Sequence, residues 1–581
     1  MTTYAKTGLT PLMARNVPGI STIVDAVEAM TGETVSGVPA DIAADILTIT
    51  RKGDRREIPQ DIPPQSSFVP DAGKTAFVVK VYNDGERGLK FTIGGLTRKS
   101  GSSNVTIWWG DGTSTTTTTT ADGGAQDTDL THTYAQAGCY MIQISDDITI
   151  WRPHLYTSSG SYFFSNCAYW PQGAWSYVVT DGHSAGYWSN KNIFKIVYAL
   201  QWGTSVTSAV WTYNCCLNLI GTVPEWNENI TGATFTYNMC VGLSGSIPEW
   251  NSKITSAAST YRYCVGLSGT IPDWGASITS ADTTYGYCHG LSGRIPEWNT
   301  KITNAGSTYY YCMGLTGRIP EWNTKITNAG STYYFCMGLT GRIPAWNSVT
   351  TNASTTYQWC CGLTGPVPEW TNAITNATAT YSYCYGISGR VPEWGANINS
   401  ANGTYQGCSG LSGPVPAWNE KITTTRFAYY LCYGLTGEIP AWNNVTTNAE
   451  GTYQGCYSMT GTIPEWNSVM VTATSTYREC YNLTGGVPAW PATVTSAAST
   501  YYSCTGLTGP IPKWGSGITN ANNTYQWCFG LDGVWETAGG GTPPDSELMP
   551  SKITSHSNTV NNTSNELRAK FLTGWGGTRS S

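Results

Sequence analysis

The chain has 581 residues, 31 Lys and Arg against 37 Asp and Glu, a net charge of −6 and only 12% charged residues. That is about half the usual charged share, and with no basic run it argues against a nucleic-acid partner. No apolar stretch is long enough for a membrane-spanning helix, and none of the five histidines, His132, His154, His183, His289 and His556, sits in a nucleophile, base or metal-ligand pattern, so no catalytic residue, cofactor or metal is expected.

In chain order, residues 1–66 differ from the rest. Ser21 caps a predicted helix through Ile23–Met30, and a second runs from Asp41 to Ile49 before the charged segment Arg51–Glu57. The Pro-rich stretch Pro59–Pro70 reads as a linker. This part is a small helical segment, expected to serve as an anchor or adaptor. The first residues, Met1-Thr2-Thr3-Tyr4-Ala5-Lys6, lack the apolar core and cleavage site of a secretory signal.

Residues 67–150 read as β. Val105-Thr106-Ile107-Trp108-Trp109 alternates and then turns at Gly110-Asp111-Gly112, a hairpin pattern; alternation resumes from Thr131-His132-Thr133-Tyr134 to Ile144. Asp111 reads as a turn aspartate rather than a Ca²⁺ ligand. Residues 115–120, all threonine, are expected as an exposed loop or strand edge. The Trp-Gly-Asp-Gly-Thr and His-Thr-Tyr motifs together resemble those of PKD-type β-sandwiches, which implies a PKD/Ig-like sandwich here. Residues 151–205 are rich in aromatics and are expected as the N-terminal cap of the repeats that begin at 206.

Over 206–533 the chain repeats. Fourteen cysteines stand 24 residues apart from Cys216 to Cys528, with Tyr three before each, Leu, Ile or Met three after and Gly five after. Pro follows eight after, and Trp ten after, the first thirteen. A period kept without insertion means that each repeat is one coil of a stack presenting the same side chains to its neighbours. The Thr/Tyr-rich stretch before the cysteine predicts one short parallel strand per coil. Tyr309, Cys312, Leu315, Ile319 and Trp322, with their equivalents, are the expected core. The ladder cysteines are expected as buried free thiols, because in-register Cβ vectors do not give disulfide torsions. Cys139, Cys167, Cys215 and Cys361 lie outside the ladder and are not spaced as a metal site. Residues 534–581 break the pattern and are expected as the C-terminal cap, with a short helix over Asn565–Leu572.

The positions flanking the cysteine vary while the core rows do not. In the central coils they concentrate Tyr287, Tyr310, Tyr311, Tyr334, Phe335 and Trp359, with Arg294, Arg318 and Arg342 in the Gly-Arg-Ile-Pro turns. Aromatic and arginine side chains dominate interface energetics, so these are the candidate ligand contacts; the sequence does not say which of the rows face out. A row of Glu or Asp nine after many cysteines, Glu297, Glu321 and Glu369 among them, reads as a solvated surface row rather than a glycosidase pair.

The Cys-x-x-Leu core and the Leu-Thr-Gly-Arg-Ile-Pro run at 315–320 resemble leucine-rich repeats, and the aromatic-x-x-Cys-x-x-Leu unit resembles the BspA-like group of bacterial surface and phage proteins. The resemblance implies a mainly β fold: a right-handed, leucine-rich-repeat-like solenoid of about thirteen coils behind the sandwich. It also implies a non-enzymatic virion protein, such as a tail fibre, head fibre or decoration protein. Such a protein would bind a host-surface glycan or protein and contact other virion proteins through residues 1–66. A purely structural role, a bacterial surface adhesin and, more remotely, a polysaccharide depolymerase are the alternatives; homo-oligomerisation stays open.

Overall fold

The computed structural model describes residues 62–83, 89–93, 95–118, 130–152, 195–214, 216, 218–537 and 540–577. The expected anchor up to residue 61 with its two helices, most of the expected cap (153–194), and Cys167 and Cys215 lie outside the described residues. The chain divides into two compact units, one running to Ile278 and including Thr284–Ser292, the other comprising Thr279–Thr283 and everything from Gly293. Among the described residues it is mainly β with few helices, and none of those helices is long and apolar enough to cross a membrane.

The first unit opens with strands β1 (Thr75–Val81), β2 (Lys90–Ile93), β3 (Gly95–Arg98), β4 (Val105–Trp108), β5 (Ser114–Thr117), β6 (Leu130–Thr133), β7 (Gly138–Ile144), β8 (Ile148–Arg152) and β9 (Ile196–Gln201). Five of them form an antiparallel sheet in the order β5-β4-β7-β1-β9, while β2-β6 and β3-β8 form two-stranded ribbons. β1 is buried along its whole length, as suits a Val/Phe-rich central strand. Phe77 of β1 stacks on Trp151 of β8 at 4.3 Å and meets Phe91 of β2 at 5.9 Å, so the core lies between sheet and ribbons.

The hairpin expected at Asp111 is β4-β5. Gly110 adopts φ +85 where a Cβ would stand 2.6 Å from the Met141 carbonyl oxygen, so only glycine fits. Asp111 accepts from the Thr113 amide at 3.0 Å and lies 2.7 Å from His132 Nε2; Trp109 stacks on the same imidazole at 4.8 Å. Partial burial works against ionisation of Asp111, yet the hydrogen bonds from Thr113 and His132 hold its carboxyl below the ordinary value. The first threonines of the tract form the edge strand β5, with Thr117 buried.

Two further segments join this unit. β9, from the stretch expected to cap the coils, adds an edge strand to the sheet by pairing with β1. The end of the Pro-rich linker docks rather than floats: Phe68 packs on Tyr198, whose hydroxyl donates to the Pro63 carbonyl at 3.0 Å.

In each unit consecutive 24-residue coils lie parallel, joined by bridges such as Gly245↔Leu267 in the first and Gly317↔Leu339 in the second. The Thr/Tyr stretch before the cysteine is not the expected strand. It is a pair of tight turns, in which the Thr260 and Cys264 amides donate to the Ala257 and Tyr261 carbonyls three residues back. The third residue of each turn, Ser259 (φ 53) and Tyr263 (φ 61), is left-handed, a conformation that usually selects glycine. The intervening amides, Tyr261 and Tyr263, point to the next coil and donate to the Thr284 and Gly286 carbonyls. Regular strands in the coils are minimal: β10 (Gly269–Thr270) with β11 (Leu291–Ser292), and β12 (Gly509–Ile511) with β13 (Leu531–Val534).

Tyr309, Cys312, Leu315, Ile319 and Trp322 are all buried, as are their counterparts in the first thirteen coils except Val487, which is half-buried. The ladder thiols are free among the described cysteines. Most donate to the tyrosine carbonyl one coil back, Cys336 to Tyr309 at 3.0 Å for example. The tryptophan row begins one coil ahead of the cysteines, with Trp202 stacked on Trp226 at 5.8 Å.

Three stapling devices were not anticipated from sequence. A fully buried threonine four before the cysteine donates to two alanine carbonyls: Thr332 reaches Ala305 and Ala329, each at 2.8 Å. The asparagine after the tryptophan ties coil to coil, with Asn323 Nδ2 donating to the Asn299 and Ile302 carbonyls while its Oδ1 accepts from the Lys325 and Ile326 amides. Finally, a degenerate last coil succeeds the ladder. The Tyr525 amide donates to the Thr559 carbonyl, and Thr559 Oγ1 donates to Ala521, so Thr559 takes the place of the buried threonines. The expected terminal helix is shorter than its sequence span: α1 (Asp545–Leu548) precedes α2 (Asn565–Arg568), and Ser564 caps α2 by accepting from the Leu567 amide.

Candidate binding surface

Because the turn residues alternate between interior and neighbouring coil, the variable rows beside the cysteine differ in exposure. Of the sequence-predicted contacts, Phe335 (4% exposed) and Trp359 (2%) are buried and offer no ring face to a ligand. Tyr310, Tyr311 and Tyr334 are half-buried and mainly pack on each other: Tyr310 stacks on Tyr334 at 4.7 Å, Tyr311 on Phe335 at 4.7 Å, and Trp359 on Tyr383 at 4.2 Å. Tyr383 in turn lies over Gly407, where a Cβ would come within 2.6 Å of its ring. Burial pushes the Tyr383 phenol up to about 12. Tyr287 belongs to the first unit and stacks on Tyr263 at 4.2 Å.

Arg318 and Arg342 are exposed, but each reaches back to a carboxylate of the preceding coil, Glu297 at 3.2 Å and Glu321 at 3.7 Å. Arg390 repeats the pattern with Glu369 at 3.0 Å. Exposed pairs of this kind contribute about 0–1 kcal/mol. The carboxylate row is therefore a surface row in which several members meet arginine.

The open aromatic surface lies further along the second unit, mainly in the row directly after the cysteine. Tyr433 and Tyr481 are each 40% exposed and Phe529 is 53% exposed; Trp527, from the row before the cysteine, is 39% exposed. Tyr457 stands between Tyr433 and Tyr481, stacked on them at 5.0 and 5.1 Å. Desolvation, followed by the charges of Tyr433 and Glu479, pushes the Tyr457 phenol up to about 12. Arg478 pairs with Glu479 at 3.1 Å and lies over the Tyr502 ring at 4.6 Å. The sequence signal was the run of Tyr at 433, 457 and 481; its exposure was not legible, because a tight turn does not follow strand alternation. Among the described residues no His/Cys/Asp/Glu group is arranged to hold a metal ion.

Three stretches of the chain, residues 231–346, 279–394 and 423–531, match the family described as "Mycoplasma protein of unknown function, DUF285". All three fall within the coils and together cover somewhat less than half of the chain. No curated protein matches the chain. Among solved structures, the crystal structure of a TLR13–ssRNA13 complex is similar at 12% identity over 57% of this chain, with a TM-score of 0.22. The match takes in 54% of that protein, so the chain spans about half its length. The chain is a mainly β repeat protein.

Proposed function

We propose that this is a non-enzymatic adhesion or receptor-binding protein, in which an invariant core holds variable aromatic rows out to a host-surface glycan or protein. The observation that carries this reading is the mutually stacked row Tyr433, Tyr457 and Tyr481, with exposed Tyr433 and Tyr481 on either side of half-buried Tyr457, on coils whose interior rows barely change. Large contiguous apolar surface on a folded protein marks interaction sites, and stacked rings lose little entropy when a partner settles on them. The family match within the coils and the BspA-like and PKD-like motifs support reading the chain as a leucine-rich-repeat-like solenoid behind a PKD-like sandwich. On the same reading it is carried on a virion surface, and residues 1–66 join it to other virion proteins. A structural decoration role is the second reading, favoured by the self-packed cluster from Tyr310 to Trp359.

The test is saturable attachment of the purified full chain to a panel of bacterial envelopes. Tyr433→Ala combined with Tyr481→Ala is expected to weaken attachment roughly tenfold or more, as hot-spot truncations do. Attachment that is absent for the unaltered chain on every envelope would favour decoration.

A further inference from the structure

Within the ladder each coil bonds to the one before it at fixed points. The Thr231 amide donates to the Thr207 carbonyl at 2.8 Å, Thr236 Oγ1 to the Ala209 carbonyl at 2.9 Å, and the Ser244 amide to the Gly221 carbonyl at 2.8 Å. Thr207, Thr212 and Ile220 hold the same places in the first coil, and they meet the same kind of acceptor on β8 and β9. The Thr207 amide donates to the Thr149 carbonyl at 3.0 Å, Thr212 Oγ1 to the Trp151 carbonyl at 3.2 Å, and the Ile220 amide to the Val197 carbonyl at 2.9 Å. Thr149 and Trp151 are two residues apart on β8, as Thr207 and Ala209 are in the coil, and Val197 on β9 stands one period before Gly221. The asparagine tie repeats as well, with Asn227 Nδ2 donating to the Gly203 and Val206 carbonyls.

From these matched bonds we infer that the strand module β1–β9 has a function of its own: it is the founding coil on which the repeats are built. β8 supplies one limb of that coil and β9 the other. The side chains agree. Trp202 and Val206, both buried, begin the tryptophan and isoleucine rows. Trp151 is fully buried and belongs to both interiors: its ring stacks on Phe77 at 4.3 Å and meets the Tyr213 ring edge-on at 5.4 Å, closing the near end of the tyrosine column. β9 is paired with β1 and bonded to Ile220 at the same time, so the five-stranded sheet runs on into the coil ladder. An uncapped coil would leave its core and its backbone donors open to water. A merely tethered domain would have no reason to offer three carbonyls in the register of a coil.

The inference stands apart from the binding role, and hydrogen exchange of the full chain tests it. Ile107 is fully buried on β4, which β7 and β1 separate from β9 in the sheet. Ile107→Ala loosens the strand module and removes no bond of the joint. Exchange should then quicken about tenfold or more in β1 and β7, and by a matching factor from Ala209 to Leu243, because amides freed in one opening share its free energy. Ile107→Val, a smaller loss, gives the same comparison should the alanine variant not fold. The reverse experiment takes one hydroxyl from the joint. Thr212→Ala should quicken exchange several-fold across β3 and β8. Thr260→Ala, the same kind of loss two coils further on, where the hydroxyl meets Ala233 and Ala257, should leave β3 and β8 unchanged. Faster exchange in β1 and β7 with residues 209–243 unaffected would overturn the inference. So would β3 and β8 that respond alike to Thr212→Ala and Thr260→Ala.

Discussion

At the residue scale the buried threonine row shows how far the repeats depend on single hydrogen bonds. Thr356 Oγ1 donates to the Ala329 and Ala353 carbonyls at 2.8 and 2.9 Å from a fully buried position. Thr356→Ala is expected to cost about 0.5–1.5 kcal/mol, the net worth of a lost hydrogen bond, since the Ala329 and Ala353 carbonyls keep the hydroxyls of Thr332 and Thr380 as donors, as read by the denaturation midpoint. The chain contains its own rescue. One coil has Ala428 in the threonine position and carries Thr425 three residues earlier, whose hydroxyl meets Thr452 Oγ1 at 2.8 Å. Adding Ala353→Thr to Thr356→Ala should recover part of the loss; a double variant no better than the single one would contradict this role. Apart from Ala428, the threonine row is as regular in sequence as the cysteine row. Its place in the core was not legible there because threonine buries only when its hydroxyl finds a carbonyl, and spacing cannot reveal the carbonyl.

The left-handed residues give a second test at this scale. Ser475 sits at φ 54, in a row where two other coils use Gly403 and Gly451 at φ 59. Ser475→Gly should raise stability by up to about 1 kcal/mol by removing the left-handed cost. Ala473→Gly, two residues away and outside that conformation, should lower it by about 0.5–1 kcal/mol. Melting temperatures that move the same way for both would refute the turn assignment.

At the scale of the element, each coil is held by its tryptophan. Trp322 is buried and donates through Nε1 to Tyr357 Oη at 3.0 Å, and its ring stacks on Trp298 and Trp346 at 5.9 and 5.8 Å. Trp322→Ala should cost about 3–5 kcal/mol. Trp322→Phe should cost less, keeping the stack and losing the donor, with the difference read from chemical unfolding. Tyr, Cys, Leu, Ile and Trp could be assigned to the interior from the 24-residue period alone, because apolar identity at fixed register has one physical use. The strand expected over the Thr/Tyr stretch was a reasonable use of β propensity, but that propensity reflects packing on a half-buried surface rather than an extended backbone. The last coil, with Thr559, stayed hidden because it comes after Cys528 and an insertion, and replaces the ladder tyrosine and cysteine with Val560 and Thr563.

For the molecule as a whole, the ladders make stability depend on alkaline pH. Burial raises the ladder thiols above their ordinary 9.0 and the ladder phenols well above 10.0, Cys336 and Tyr333 among them. The folded state therefore holds these protons more tightly than the unfolded chain. Their contribution is fully present below about pH 9 and is lost as pH climbs past the unfolded values, by about 1.4 kcal/mol per group per pH unit. Phenolate absorbance and far-ultraviolet circular dichroism, followed together above pH 9, should show the ladder tyrosines ionising only as the coils unfold. Ionisation of all tyrosines near pH 10 with the dichroism intact would contradict a buried ladder.

The central claim is that function lies in what the coils expose and stability in what they bury. The most direct measurement compares envelope attachment of two variants of the full chain, each confirmed as folded by its dichroism. One is Tyr433→Ala/Tyr481→Ala on the open row; the other is Tyr310→Ala/Tyr334→Ala in the half-buried cluster. The open-row variant is expected to attach roughly tenfold or more weakly at nearly unchanged melting temperature. The cluster variant should melt earlier and attach almost normally. Loss of attachment in the cluster variant, with the open-row variant attaching like the unaltered chain, would contradict the claim and return the site to the coils around Tyr310.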